Sequence, residues 1–448
     1  MLRTQRPQKI THSKFTMLEV AFAISCFLFY TDIWWIALGE TVPILYSGAR
    51  YSVMLGSALL LMMRRKNSLA ALPKGGWLWL FLGVCILSIV WSINTGLTTT
   101  GILRTIIQLS LFSLYMASRF NPRDQLYIIG AGLGITLLIN LFYVFAIPSV
   151  GLHPPGDKFA GAWKGTFDSK NEFSGMMLLT AAVSYLMSFK KAHPLANRLG
   201  RIGLFLCPAT IILSTSKSAL VIVIFVYAAL TILHRCVWQG RRSVLLVDLA
   251  VLFAGGLTTL VTSYWVAIAA SLGKDPTMSG RTVLWAASID KIVQKPLLGN
   301  GFDAFWSEDN PAAMSIGGAL HPGFYSHSAH NGFLNIMLDT GWLGLICFLV
   351  GFIATALLAV RYGYRAIAPE QSWPFAVMLL ITIYNLVESS FISEDINWLL
   401  YVITYLSIRI WPQNSMIMES TDIPRASSSA AICHSPKLEP AIAAESRQ

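Results

Sequence analysis

Apolar runs long enough to cross a bilayer recur along this chain, and they constrain it more than any other feature. A helix needs about 20 apolar residues to traverse the hydrocarbon core. Such runs fall at 17–38, 46–63, 77–93, 101–118, 126–147, 173–189, 202–216, 218–233, 244–271, 332–360, 374–392 and 396–411. Lipid offers no water to an unpaired backbone, so each run reads as a helix. The sequence therefore predicts an all-α polytopic membrane bundle of about 12 transmembrane helices. Composition excludes the soluble alternative. Hydrophobic residues make up 55% of the chain and charged residues 12%, against about 25% charged in soluble domains. Too few polar groups remain to cover a water-facing surface.

The 202–233 stretch is one apolar run, broken only by Ser214-Thr215-Ser216-Lys217-Ser218. A charge among small hydroxyl residues reads as a hairpin tip. Charge distribution agrees with two spans there. Lys and Arg are retained in cytoplasmic loops. With the N-terminal tail inside, alternation puts 23 of the 33 basic residues inside, including Arg64, Arg65, Arg119, Arg198, Arg201 and Arg361. Removing the hairpin would invert the later loops and spoil that pattern. The net charge of +11 thus describes topology rather than nucleic-acid binding. Both termini are expected in the cytoplasm, with residues 1–16 a basic tail before a first span, starting near Met17, that reads as an uncleaved signal anchor. Residues 412–448 are expected to form a disordered tail rich in Ser, Ala and Pro. The six cysteines show no CxxC spacing, so neither a disulfide framework nor a zinc site is indicated.

The membrane domain, 17–411, then has two long outside segments, 148–172 and 272–331. Long loops are commonly functional or disordered. The second carries an amphipathic stretch from Thr282 to Lys295, with Leu284, Trp285, Ile289, Ile292 and Val293 expected on one side, against the membrane or the bundle.

Candidate chemistry gathers on the outside face. Lys217 lies at the hairpin tip, Arg281 in Ser279-Gly280-Arg281, and His330 in His327-Ser328-Ala329-His330-Asn331-Gly332. A charge near membrane depth is costly without a partner or ligand, and an anionic ligand would supply one. The ordinary alternatives are a snorkelling Lys217, a helix-start Arg281 and a helix-capping His330. Asp168, Lys170, Asn171 and Glu172 sit at the mouth of the sixth span, where Asn171 and Glu172 either cap the helix or line a site. Glu388, inside the eleventh span, is either functional or a buried structural hydrogen-bonding group. Arg104 either pairs with Glu388 or binds lipid phosphate. Glu394 and Asp395 read as solvated loop charges. There is no DxD, HExxH, GxSxG or phosphate-binding glycine loop, which points away from metal-dependent and serine-nucleophile chemistry.

An ordered set of motifs resembles the bacterial O-antigen ligase and exopolysaccharide polymerase family. It comprises Gly165-Thr-Phe-Asp-Ser-Lys-Asn171, Ser214-Thr-Ser-Lys-Ser-Ala-Leu220, Ser279-Gly-Arg-Thr-Val-Leu-Trp285, Pro296-Leu-Leu-Gly-Asn-Gly-Phe302, His330-Asn-Gly-Phe-Leu and Gly341-Trp-Leu-Gly344. The resemblance implies a metal-independent, multi-span inner-membrane glycosyltransferase without a cofactor. Such an enzyme moves a sugar chain from undecaprenyl diphosphate to an acceptor on the periplasmic side. It implies that Lys217 and Arg281 hold the diphosphate and that His330 acts in catalysis. Lys170, Asn171, Asn331 and Glu388 are further candidate substrate-binding residues. The implied partners are the lipid-linked oligosaccharide, the growing polysaccharide, membrane lipids, a flippase and a chain-length co-polymerase, with no nucleic acid. Ligases commonly carry Arg where this chain has Lys217. The Ser-Thr-Ser-Lys-Ser form looks more like rhizobial-type polymerases, which places polymerase ahead of ligase. A lipid-linked sugar transporter or flippase is the rival from another class, disfavoured because the polar cluster lies near one face rather than at mid-membrane and the long loop sits late in the chain.

Overall fold

The computed structural model describes residues 16–35, 42–189, 193–235, 280–366, 369–386 and 391–411. The expected span at 244–271, the loop up to 279, Glu388 and both tails lie outside the described residues. The regular elements described are helical, with one isolated bridge between Leu152 and Trp163. The helices are α1 (Met17–Phe29), α2 (Pro43–Met63), α3 (Arg65–Ala71), α4 (Gly76–Leu87), α5 (Thr95–Gly101), α6 (Leu109–Arg119), α7 (Pro122–Ala146) and α8 (Pro148–Gly151). They continue with α9 (Lys170–Met187), α10 (Pro194–Leu213), α11 (Lys217–Arg235), α12 (Arg281–Gln294), α13 (Pro311–Gly318), α14 (Gly332–Tyr364), α15 (Trp373–Tyr384) and α16 (Ile396–Ile410). Among the described residues, 7 helical stretches are long and apolar enough to cross a membrane.

The 202–233 run is divided as its sequence predicts. Helices α10 and α11 each qualify as a span, and Ser214–Ser216 form the tip between them. Other expected spans are shorter than their apolar runs. Helix α1 stops at Phe29 and turns through Thr31 and Asp32, and α15 stops at Tyr384.

Lipid solvates the outside of such a bundle, so helix association rests on close packing rather than on removal of apolar surface from water. Leu138, Phe145, Phe205, Val221 and Leu357 are accordingly exposed. The interior is aromatic instead, with Phe348 and Phe333 ring centroids 4.9 and 5.1 Å from Phe391. One polar clamp is buried at the end opposite the hairpin tip. Glu19 accepts from Arg64 Nε at 2.8 Å and Arg119 Nη2 at 2.9 Å, tying α1 to the ends of α2 and α6. Burial alone would raise the cost of these charges, and mutual pairing offsets it.

The described part of the late loop, from 280, is a folded layer rather than a tether. Leu284 and Ile292 of α12, Phe305, Ala313, Ile316 and Leu338 of α14 form a small core. The amphipathic helix is therefore split differently from expectation. Leu284, Ser288 and Ile292 face this core, whereas Ile289 and Val293 are exposed, along with Leu297 and Leu298. Four-residue spacing places 284, 288 and 292 on one stripe and 289 and 293 on the next.

A seam explains two of the glycine-rich motifs. Helix α14 is broken at Gly341, whose φ of 63° and ψ of −162° suit glycine alone. The break frees backbone groups, and the 296–301 segment pairs with them. Trp342 and Leu343 N–H groups donate to Pro296 and Leu297 carbonyls at 2.8 and 3.2 Å. Asn300 and Gly301 N–H groups donate to Leu338 and Asp339 carbonyls, each at 2.9 Å, and Asn300 Nδ2 adds a bond to Leu338 at 2.8 Å. Gly299 approaches the Asp339 backbone so closely that a Cβ would lie 2.7 Å from Thr340 N.

Candidate functional site

The hairpin tip builds the first part of the site. Helix α9 packs antiparallel to α10, so its start meets the α10–α11 tip. Lys170 Nζ donates to Thr215 Oγ1 at 3.0 Å and lies 3.7 Å from the Phe159 ring centroid. Thr215 adopts a positive φ of 56°, which turns the chain there. His153 organises the approach: its Nε2 accepts from Lys170 N at 3.2 Å, and its Nδ1 meets Asp157 Oδ2 at 2.6 Å. Accepting at Nε2 puts the ring proton on Nδ1. Partial burial, followed by the charges of Lys217 and Lys158, holds the Lys170 ammonium below its ordinary value. Lys217, the first residue of α11, is exposed beside it. The structure thus brings Lys170 and Lys217 together, a cationic pair whose repulsion an anion would relieve.

Asn171 and Glu172 do not cap α9. Ser169 does, its hydroxyl accepting from Glu172 N at 3.3 Å, and Asn171 is exposed in the first turn.

His330 sits on a turn with a positive φ of 49°. It does not cap α14; Asn331 does, accepting from Phe333 and Leu334 N–H groups at 3.0 and 3.2 Å. Asn335, one turn further on, fixes this bend by accepting from Ala329 N and Trp306 Nε1, both at 3.1 Å. His330 N donates to Ser328 Oγ at 3.2 Å. Sequence reasoning missed Asn335, although its four-residue spacing from Asn331 was readable. The next residue, Gly332, donates to the Asn385 carbonyl at 3.1 Å, and Asn385 Oδ1 accepts from Phe391 N at 2.8 Å. Neighbouring Tyr384 lies against Gly175, little more than a turn into α9 from Lys170. The His330 turn and the lysine pair therefore share one end of the bundle.

Arg281 begins α12 after Gly280, whose φ is 86°. Three residues on, Leu284 enters the loop core, and Leu334, four residues past His330, packs against the same core. Arg281 and His330 are each about one helical turn from shared packing. Glu388 falls outside the described residues.

A third cluster was not anticipated. Glu394 is not a solvated loop charge. Its carboxylate meets Arg50 Nη1 at 2.8 Å and Arg104 Nε at 3.6 Å. Arg104 thus pairs with Glu394, and it stands on a π-helical segment, Ile102–Gln108. Such segments recur at functional sites. Asp395 caps α16, accepting from Asn397 N at 2.9 Å. Among the described residues, no group of three or more His, Cys, Asp or Glu side chains could hold a metal ion.

Helices long and apolar enough to span, with a polar site gathered at one end, define a multi-pass membrane protein. Residues 202–349 match the family model described as O-antigen ligase. That segment contains Lys217, Arg281 and His330. The chain is also 24% identical over 326 residues to the exopolysaccharide production protein ExoQ of Rhizobium meliloti (strain 1021). The match covers 70% of this chain and 65% of that protein, just under two thirds of its length.

Proposed function

We propose that this protein polymerises undecaprenyl-diphosphate-linked oligosaccharide repeats into exopolysaccharide at the periplasmic face of the inner membrane. Two observations support the reading: Lys170 bonds to the α10–α11 tip at Thr215, next to Lys217, and Lys217, Arg281 and His330 fall within the segment matching the O-antigen ligase model. The likeness to an exopolysaccharide production protein favours polymerase. The family description supports ligation to lipid A–core as the second reading.

In this reading the acceptor hydroxyl attacks the anomeric carbon of the donor. The bond from that carbon to the diphosphate oxygen breaks, and undecaprenyl diphosphate leaves with the electron pair. Lys170, Lys217 and Arg281 stabilise the developing charge at a low-dielectric mouth, without a metal. His330 takes the hydroxyl proton, as imidazole can near neutral pH. One displacement inverts the anomeric centre. Asn171 and Glu388 contribute to substrate binding, and Asn331 does so while capping α14. The membrane domain is 17–411, with twelve spans, both termini cytoplasmic and the 272–331 loop outside. A flippase supplies the donor, and a co-polymerase sets chain length.

The purified protein in liposomes, given lipid-linked repeats, tests the assignment by product length on a gel. Arg281→Ala and His330→Ala are expected to abolish elongation; wild-type rates in both would overturn the roles. A deletion strain separates polymerase from ligase. Loss of high-molecular-weight exopolysaccharide with intact lipopolysaccharide selects the polymerase, and core lipopolysaccharide without O-antigen selects the ligase.

A further inference from the structure

We propose that a cleft at the C-terminal end of α12 is a subsite for a glycan segment carrying a carboxylate-bearing sugar. The cleft holds about 400 Å³, within the range of small-ligand sites. Its polar lining includes Lys291 and Gln294 from α12, Lys295 just after it, Asn94, Asn300 and Asp309.

The lining is chemically mixed in a way that suits hydroxyl groups. Asn94 Oδ1 already accepts from Leu97 N at 3.1 Å, so its amide nitrogen is the group left for a ligand. Asn300 Nδ2 already spends one N–H on the Leu338 carbonyl at 2.8 Å, which leaves its oxygen and its second N–H for a ligand. A sugar hydroxyl both donates and accepts, and matches such a pair. Lys291 and Lys295 outnumber Asp309, which tips the cleft toward an anionic ligand.

The cleft is also preformed. Its wall at Ile93 and Asn94 is stitched to the opposite segment: Ile93 N donates to the Asn300 carbonyl at 2.9 Å and Trp91 Nε1 to the Leu298 carbonyl at 2.8 Å. Thr98 Oγ1 donates to the Phe302 carbonyl and Phe302 N to Ser88 Oγ, both at 2.8 Å. A rigid polar cleft avoids the ordering cost that weakens binding. Along α12 it lies about 20 Å from Arg281. On the proposed polymerase reading, that separation sets the cleft against saccharide units remote from the diphosphate; the binding experiment itself does not depend on that reading.

The test uses the full chain in nanodiscs, with tetragalacturonate as the anionic probe and maltotetraose as the neutral one. Expected results are saturable, salt-sensitive tetragalacturonate binding and weaker maltotetraose binding. Lys291→Gln/Lys295→Gln is expected to weaken tetragalacturonate about tenfold, while Lys66→Gln, far along the chain, leaves it unchanged. Equal binding of both probes, or an unaffected double variant, overturns the proposal. Loss of binding in Arg281→Ala would put the probe at the diphosphate residues instead and also overturns it. Carboxylate and lipid phosphate share this chemistry, so nanodiscs with and without phosphatidylglycerol are compared; abolition of binding by that lipid assigns the lysines to headgroups and refutes the subsite. Wild-type polymerisation by Arg281→Ala and His330→Ala, alongside cleft-dependent probe binding, would sink the functional reading and leave the subsite standing.

Discussion

Replacing Gly341 with alanine should open the seam that holds the outer loop to α14. The backbone there lies at φ 63° and ψ −162°, a region that costs a non-glycine residue about 1–3 kcal/mol. The new Cβ would also press on the Leu297 backbone and lie 2.6 Å from Leu298 N. That backbone cannot retreat without losing the Pro296–Trp342 and Leu297–Leu343 bonds. The three bonds from Asn300 and Gly301 complete the seam. At roughly 1 kcal/mol net for each hydrogen bond, the five bonds are worth about 5 kcal/mol, comparable with the strain plus about 1–3 kcal/mol for an overpacked side chain, so local opening is the expected response. Hydrogen exchange read by mass spectrometry should show lost protection at Asn300, Gly301, Trp342 and Leu343. On the proposed polymerase reading, in which the loop core positions Arg281 relative to His330, elongation should fall at least about tenfold. Gly134→Ala is the control, since its Cβ would meet nothing within 4 Å; it should be neutral or slightly stabilising. Native protection in Gly341→Ala would refute the reasoning.

Asn335→Ala leaves the half-buried Trp306 indole and the buried Ala329 N–H without their acceptor, at about 1–3 kcal/mol for the buried one. On the same polymerase reading, elongation kinetics should show kcat falling more than KM changes, with Asn335→Asp restoring it because the oxygen does the accepting; no rescue would exclude this positioning role. The His153 hydrogen bond holds the Asp157 carboxyl below its ordinary value. Its contribution to loop order is present above about pH 4, the unfolded value, and fades as pH falls through the lower folded value. Limited proteolysis of the 152–163 loop should show protection lost only in that acid range, and Asp157→Asn should remove the pH dependence. Equal pH dependence in Asp157→Asn would contradict it.

The reading of the hairpin tip was available because Ser214–Lys217 interrupts an otherwise unbroken apolar run, and a bilayer tolerates such an interruption only at a face. The motif at 296–302 was visible as a pattern, but not its purpose, since its glycines answer a break in a helix some 40 residues later. Glu394 was misjudged for the same kind of reason. Its partner Arg50 is 344 residues away, and no local pattern records such a pairing. The split of α12 into a buried and an exposed stripe also followed from what lay against it rather than from its own amphipathicity.

By itself, the sequence determined that this is a multi-pass helical membrane protein and that Lys217 stands at a helix tip. Span length and backbone satisfaction in lipid are local constraints, readable one segment at a time. Tertiary structure alone decided which of the polar residues meet: Lys170 with Thr215, and Arg50 and Arg104 with Glu394. Lipid solvates every apolar face alike, so hydropathy leaves the choice of neighbours to packing and to hydrogen bonds between distant segments.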